Sequence, residues 1–265
     1  MDESGDAMAR AQAGVRARIG SLAIDPVSMG EALERIEALV ERGAGGAVFT
    51  PNVDHFVKAQ RDAEFAAAYA DADLCLADGQ PVVWASRLLG TRLPGRVAGS
   101  DIIEPLLERA GAKGWATYFL GGRPGAAEEA ARRAEERFGV RVAGTSSPAV
   151  PARPRPDDIV EALAPVRSAA PDLLLAGLGT PKGELFITAA RDALPTTVAL
   201  SIGASIDFMA GLVPRAPRWL ADAGLEWSYR LAREPRRLWR RYLVDDPRFV
   251  RIVAGEAWAR KRSAA

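Results

Sequence analysis

Short apolar runs alternate with amphipathic stretches of about 12 to 18 residues along most of the chain. The apolar runs have the length of β-strands, and the amphipathic stretches repeat apolar residues at helical spacing. Strands that alternate with helices in this way predict an α/β fold, with a Rossmann-like, mostly parallel sheet and helices on both faces. The predicted strands cover residues 19–24, 47–49, 74–76, 115–120, 140–143, 172–176 and 198–202.

A helix is expected after nearly every strand. Ser28-Met29-Gly30-Glu31 has the sequence of a capping box and opens the first of them. The proline-rich segment 148–156 predicts a loop. The expected helices cover about residues 28–42, 53–69, 80–89, 101–110, 124–138, 157–169 and 180–194.

The ends of the chain do not follow this pattern. Residues 1–18 have no apolar core of a signal peptide and are expected to form a flexible leader, so residues 19–214 make up the α/β domain. Residues 215–265 contain no strand-like run and predict a helical appendage. It carries four of the six tryptophans, namely Trp219, Trp227, Trp239 and Trp258.

Composition narrows the chemistry. One cysteine, Cys75, excludes an intramolecular disulfide and favours a reducing compartment, and no apolar stretch is long enough to span a membrane. We therefore expect a cytoplasmic protein. One histidine, His55, excludes a zinc site built on several histidines. Neither G-x-G-x-x-G nor G-K-[ST] occurs, which argues against dinucleotide dehydrogenases and P-loop ATPases.

Glycines follow three of the predicted strands. Backbone N–H groups at such turns can hold a phosphate, although glycine there also serves tight packing. Three such turns in succession suggest an anionic, nucleotide-like ligand. The positions are Gly121, Gly122, Gly177, Gly179 with the nearby cation Lys182, and Gly203.

Polar side chains follow two other strands. Asp78 comes directly after the strand 74–76, where it would either meet a ligand or cap the next helix. Thr50 and Asn52 follow the strand 47–49 and would either bind sugar hydroxyls or act as caps. Among these groups, Asp78 is the candidate for acid–base chemistry.

Three further candidates are weaker. Asp71 and Asp73 form an Asp-x-Asp pair, but they precede a strand and are interpreted as solvated turn residues rather than metal ligands. His55 is expected to face a helix surface or to pair with Asp54 rather than to bind a metal.

Taken together, the chain resembles the WecG/TagA/CpsF family, glycosyltransferase family 26, over about residues 20–250. The matching stretches occur in collinear order. They are Thr50–His55, Leu76–Pro81, Arg92–Asp101, Phe119–Gly122, Pro171–Glu184, Gly203–Gly211, Arg215–Pro217, Gly224–Leu231 and Glu234–Arg237.

The resemblance implies an inverting transfer of a hexose-type sugar from a UDP-sugar to a lipid-linked acceptor in cell-surface or exopolysaccharide assembly. It implies no essential metal and no other cofactor. Asp78 becomes the general base, and Thr50 and Asn52 become polar groups of the active site. Arginines of the appendage become candidates for binding the diphosphate, namely Arg230, Arg233, Arg237 and Arg240.

One position departs from the family pattern. Relatives usually read Pro-Lys-Gln-Glu where this chain has Pro181-Lys182-Gly183-Glu184. Loss of the glutamine side chain implies an unusual donor, room for a bulkier donor, or reduced activity. It also keeps open an alternative function, a non-catalytic sugar-nucleotide-binding or scaffold protein of the same machinery.

Charge is divided unequally along the chain. Residues 226–265 contain eleven Lys and Arg against five Asp and Glu, a charge of +6, so the other residues carry −5 of the net +1. A basic, tryptophan-bearing segment is typical of a peripheral element on an anionic cytoplasmic leaflet, or of a helix packed on the core with a solvated basic face. No reader motif accompanies the charge, so nucleic acid is not an expected partner. The expected partners are a UDP-sugar, a polyprenyl-diphosphate-linked glycan, an anionic membrane surface and, as an alternative to a monomer, a second copy in a homo-oligomer.

Overall fold

A two-stranded hairpin begins the described part of the chain. The computed structural model describes residues 16–217, 219–220 and 223–263, so residues 1–15 of the expected leader lie outside the described residues. Strands β1 (Ala17–Ile19) and β2 (Leu22–Ile24) pair antiparallel around Gly20, whose φ of 57° is left-handed. The prediction of one strand over 19–24 is therefore wrong, and regular structure begins at Ala17 rather than after residue 18. The glycine turn reverses the chain while keeping the alternating apolar side chains buried.

Six parallel strands form the central sheet, which confirms the α/β prediction. They are β3 (Gly46–Phe49), β4 (Leu74–Cys75), β5 (Ala116–Gly121), β6 (Arg141–Ser146), β7 (Leu173–Gly177) and β8 (Val198–Ser201). Their order across the sheet is β4-β3-β8-β7-β5-β6, and every neighbouring pair is parallel. Alternate residues of β7 enter different apolar clusters, Leu174 one and Leu173 and Leu175 the other. The sheet is therefore buried on both faces, as parallel sheets usually are.

Nine helices of the described chain connect or flank these strands. They are α1 (Met29–Arg42), α2 (Val53–Ala59), α3 (Ala63–Ala70), α4 (Gln80–Leu88), α5 (Gly99–Lys113), α6 (Ala126–Phe138), α7 (Pro156–Ala169), α8 (Lys182–Ala190) and α9 (Ser205–Met209). The capping box at Ser28 and Glu31 is confirmed. The single helix expected over 53–69 is two helices, because Asp62 starts a new one by accepting a hydrogen bond from Phe65 N at 3.1 Å.

Cys75 lies in β4 and belongs to one of the two apolar clusters. It is fully buried, and its Sγ is 3.8 Å from the carbonyl oxygen of Tyr69. Burial raises the pKa of the Cys75 thiol to about 12.

The chain ends in a helical segment that returns to the α/β body. Helices α10 (Glu226–Arg233) and α11 (Pro235–Arg240), a π-helical turn (Arg241–Asp245) and α12 (Arg248–Ser263) follow one another. The Phe249 ring of α12 is 5.3 Å from that of Phe56 in α2, and Gly20 N donates to Glu256 Oε2 at 2.6 Å. Helix α12 is thus anchored on α2 and on the hairpin. Among the described residues, no helix combines the length and apolar character needed to cross a bilayer.

Candidate functional site

A cleft of about 930 Å³ lies at the carboxyl ends of β3, β4 and β8, and the C-terminal helices form its other wall. Ligands bind parallel sheets at this edge, and the volume is that of a small-molecule site. The structure brings together eight of the predicted catalytic and substrate-binding residues. Those that line the cleft are Thr50, Asn52, Asp78, Gly179, Gly203, Arg230, Arg237 and Arg240.

The glycine turn after β5 does not line the cleft. Arg123 N donates to the Asp207 carboxylate at 2.8 Å, and Gly122 N donates to the Gly177 carbonyl at 3.0 Å. The backbone amide of Arg123, in the turn that was expected to bind phosphate, is therefore already hydrogen-bonded to the Asp207 carboxylate. Gly121 and Gly122 serve close packing, since an added Cβ at either position would lie within about 3 Å of neighbouring atoms.

Three other expected binding residues also lie off the cleft lining. Gly177 packs against Ile206, whose Cδ1 would be 2.9 Å from an added Cβ. Lys182 is the first residue of α8 and is half-exposed. Arg233 is exposed, with its guanidinium 5.4 Å from the centre of the Tyr229 ring. The structure therefore does not bring these three residues to the cleft lining, and a sequence pattern alone does not separate packing glycines from binding glycines.

Asp78 lies where β4 runs into α4. The residue that caps α4 is Gly79, with no side-chain hydrogen bond, so the alternative of Asp78 as a helix cap is excluded. The pKa of Asp78 is raised to about 6, mainly by burial and to a lesser extent by Glu226, against the lowering effect of His55, Arg96 and Arg230. A half-buried carboxylate with this pKa is suited to accept a proton near neutral pH.

Thr50 and Asn52 both line the cleft, and of the two only Asn52 caps a helix. Thr50 Oγ1 donates to the Ser201 carbonyl at 3.2 Å, which ties the end of β3 to the end of β8. Asn52 caps α2 by accepting from Asp54 N at 3.2 Å, and it also lines the cleft. Its Oδ1 accepts a second hydrogen bond from Arg241 Nη2 at 2.9 Å, so the C-terminal segment contacts the end of β3 directly.

His55 is largely buried in the lining of the cleft rather than exposed on a helix surface. Its Nδ1 is 2.8 Å from Asn52 Oδ1, and its Nε2 is 3.4 Å from Glu184 Oε1. The expected pair with Asp54 does not form, because Asp54 pairs with Lys58 at 2.6 Å one helical turn away. His55 thus links the end of β3 to α8.

Gly183 lets α8 approach β8 closely. A Cβ at this position would lie 2.7 Å from Ser201 Oγ, which donates to Glu184 Oε1 at 3.0 Å. The volume next to Gly183 is therefore filled by Ser201, and the expectation of extra room for a bulkier donor fails there.

The Asp-x-Asp pair has a structural role. Asp73 Oδ2 accepts from Ala47 N at 2.8 Å and pairs with Arg191, at the amino edge of the sheet and away from the cleft. Asp71 is exposed at the end of α3. Across the described residues, no group of three histidine, cysteine or acidic side chains is arranged to hold a metal ion.

Several cleft residues were missed from the sequence. Arg96 pairs with Asp101 at 2.8 Å and with Glu226 at 3.7 Å, and both Arg96 and Glu226 lie within stretches already quoted for the resemblance. Arg241 directly follows the arginines that were considered. Glu184 also lies within a quoted stretch, but the sequence does not show that this acidic residue of a helix is buried rather than exposed to solvent.

The known proteins to which this chain is similar are glycosyltransferases. A family model described as the glycosyl transferase WecG/TagA/CpsF family matches residues 17–263. The chain is 33% identical over 215 residues to the N-acetylglucosaminyldiphosphoundecaprenol N-acetyl-beta-D-mannosaminyltransferase of Bacillus spizizenii, which covers 81% of this chain and 80% of the relative. It is 29% identical over 218 residues to the protein of the same name from Bacillus subtilis strain 168, with 82% of each covered.

Proposed function

This chain belongs to the WecG/TagA/CpsF family of glycosyltransferases, and we propose that it transfers a hexose-type sugar, with inversion, from a UDP-sugar to a lipid-linked acceptor. The setting we propose is cell-surface or exopolysaccharide assembly. Both relatives are named for transfer to a diphosphoundecaprenol-linked sugar, which supports the acceptor class. The observation that carries the proposal is Asp78, a carboxylate with a pKa of about 6 in a cleft lined by arginines.

The proposed reaction is a single displacement. Asp78 takes the proton of the acceptor hydroxyl while that oxygen attacks the anomeric carbon from the face opposite the leaving group. The new C–O bond forms as the bond to UDP breaks, and UDP leaves with the bonding electrons. Preorganised cations stabilise the charge that develops on the diphosphate. Arg230, Arg237 and Arg240 line the cleft and supply these cations, so the proposal requires no metal.

The proposal includes a peripheral position on the cytoplasmic face of the membrane. Trp239 and Trp258 of the C-terminal segment are exposed by 52% and 61%, and Arg236 lies on the exposed part of α11. Exposed tryptophans beside arginines suit the interface of an anionic leaflet.

The test is UDP release from a panel of UDP-sugars with a short-chain, lipid-linked N-acetylglucosamine diphosphate as acceptor. We expect Asp78→Asn to lower turnover by at least about a hundredfold, with UDP affinity nearly unchanged. The wild-type rate should fall about tenfold per pH unit below about pH 6, because the base becomes protonated.

Asp71→Asn is the matched control, since this exposed carboxylate lies outside the cleft and its loss should leave the rate unchanged. Substantial turnover by Asp78→Asn would remove Asp78 from the base role. A wild-type protein that binds a UDP-sugar but never releases UDP would favour the non-catalytic alternative.

A further inference from the structure

The side-chain oxygen of Asn52 meets three nitrogen atoms. Asp54 N is 3.2 Å away, Arg241 Nη2 2.9 Å and His55 Nδ1 2.8 Å. A backbone amide and a guanidinium only donate hydrogen bonds, so these two contacts identify the atom as oxygen rather than nitrogen. The Asn52 amide therefore has one orientation, with Nδ2 on the side away from these donors.

This orientation bears on which nitrogen of His55 carries a proton. Asn52 Oδ1, 2.8 Å from Nδ1, needs a hydrogen on that nitrogen, whereas the Asn52 backbone N–H is directed at the same Nδ1 from 3.2 Å and needs it bare. The shorter contact, between Nδ1 and Oδ1, favours a protonated Nδ1 that donates to Asn52. On the other side of the ring, Nε2 is 3.4 Å from the buried Glu184 Oε1, which Ser201 Oγ also contacts.

The Asn52 Nδ2 group is left for a ligand. Within the described part of the chain no residue accepts a hydrogen bond from it, and Asn52 lines the cleft. We propose that His55 is a positioning residue that holds the Asn52 amide with Nδ2 toward the cleft, where it donates to a diphosphate oxygen of the bound sugar nucleotide. Glu184 holds the imidazole through its contact with Nε2, on the side of the ring opposite Asn52. The role of Asn52 in substrate binding rests on the proposed function, whereas the protonation of His55 Nδ1 does not.

The ring can be observed directly because the chain has one histidine. Imidazole ¹⁵N resonances of the full-length, tag-free protein therefore need no assignment. We expect the signal of a protonated Nδ1 at about pH 7.5, whatever the state of Nε2. A bare Nδ1 would overturn the proposal without any substrate being present.

Two substitutions separate positioning from packing. His55→Asn places an amide nitrogen where His55 has Nδ1, whereas His55→Gln places one where it has Nε2. We expect His55→Asn to bind UDP within about threefold of wild type and His55→Gln to bind about tenfold more weakly, which is the loss of one hydrogen bond to a charged group.

A role in packing alone predicts the opposite order, because glutamine is closer in size to histidine and keeps a partner for Glu184. Equal affinities, or weaker binding by His55→Asn, would overturn the proposal. A cooperative thermal unfolding transition of each variant is the control that the variant is folded. If the wild-type protein does not bind UDP, the proposed function fails instead, and the ¹⁵N spectrum still decides the state of the ring.

Discussion

At the scale of single residues, Asp78 shows how a site trades stability for chemistry. The pKa of its carboxyl in the folded chain is about 6, against an ordinary value of 3.8. Burial opposes the charged form, while the proposed base must be charged to accept a proton. Above about pH 6 the Asp78 carboxyl is charged and can accept a proton. Its buried charge then lowers the free energy of unfolding.

This imbalance predicts how stability depends on pH. The folded state holds the Asp78 proton more tightly than the unfolded state, so this residue lowers the free energy of unfolding as pH rises from about 4 to about 6. Asp78→Asn removes that loss. We expect the variant to be more stable than wild type by about 1–3 kcal/mol at pH 7.5 and nearly equal to it at pH 4.

Urea unfolding of both proteins at the two pH values makes the measurement, with Asp71→Asn as the control. An Asp78→Asn protein that is less stable than wild type at pH 7.5 would contradict the burial argument.

At the scale of elements, the contact between α8 and β8 depends on the absence of one side chain. Gly183 faces Ser201 across this contact, and Glu184 accepts a hydrogen bond from the Ser201 hydroxyl. In this chain the space beside Gly183 is therefore filled by Ser201 rather than empty.

Gly183→Ala tests this close contact between Gly183 and Ser201. The added Cβ would force Ser201 Oγ away from Glu184 and break a buried hydrogen bond, at a cost of about 1–3 kcal/mol in the free energy of unfolding. Ser201→Ala removes the colliding oxygen, so the double variant should lose less than the sum of the single variants. Thermal unfolding of all four proteins gives this coupling, and strictly additive losses would count against it.

The sequence predicted elements better than it predicted contacts. The alternation of apolar and polar positions was enough for the parallel sheet, and Asp78 followed a strand clearly enough to be found. The reversal at Gly20 was missed because its strands have three residues each, too few for a periodic signal. The packing role of Gly122 depends on Asp207, which reaches the same turn from α9, and no local pattern carries that information.

At the scale of the whole molecule, the chain has two regions of opposite charge. The +6 of residues 226–265 occurs on helices that wall the cleft and then return to the body through α12. The cations of this segment therefore lie on two surfaces. Arg237 and Arg240 line the cleft, whereas Arg236 is exposed on the outer surface of the segment.

The proposed membrane surface can be tested without disturbing the cleft. Trp239 and Arg236 do not line it, so the double variant Trp239→Ala/Arg236→Ala should bind UDP normally. We expect it to bind vesicles with anionic lipid about tenfold more weakly than wild type, and wild-type binding to weaken as salt rises. Val160→Ala, which changes an exposed apolar residue of α7, is the control in vesicle sedimentation. Equal binding by all three proteins would refute this membrane surface.

Cys75 has a practical consequence for such measurements. It is the sole thiol of the chain, it is fully buried, and its pKa of about 12 keeps it protonated. A thiol reagent should therefore leave Cys75 of the folded protein unmodified and react with a cysteine introduced at the surface. Fluorophores or spin labels at chosen positions of the C-terminal helices would then report depth in a bilayer without first removing the natural cysteine.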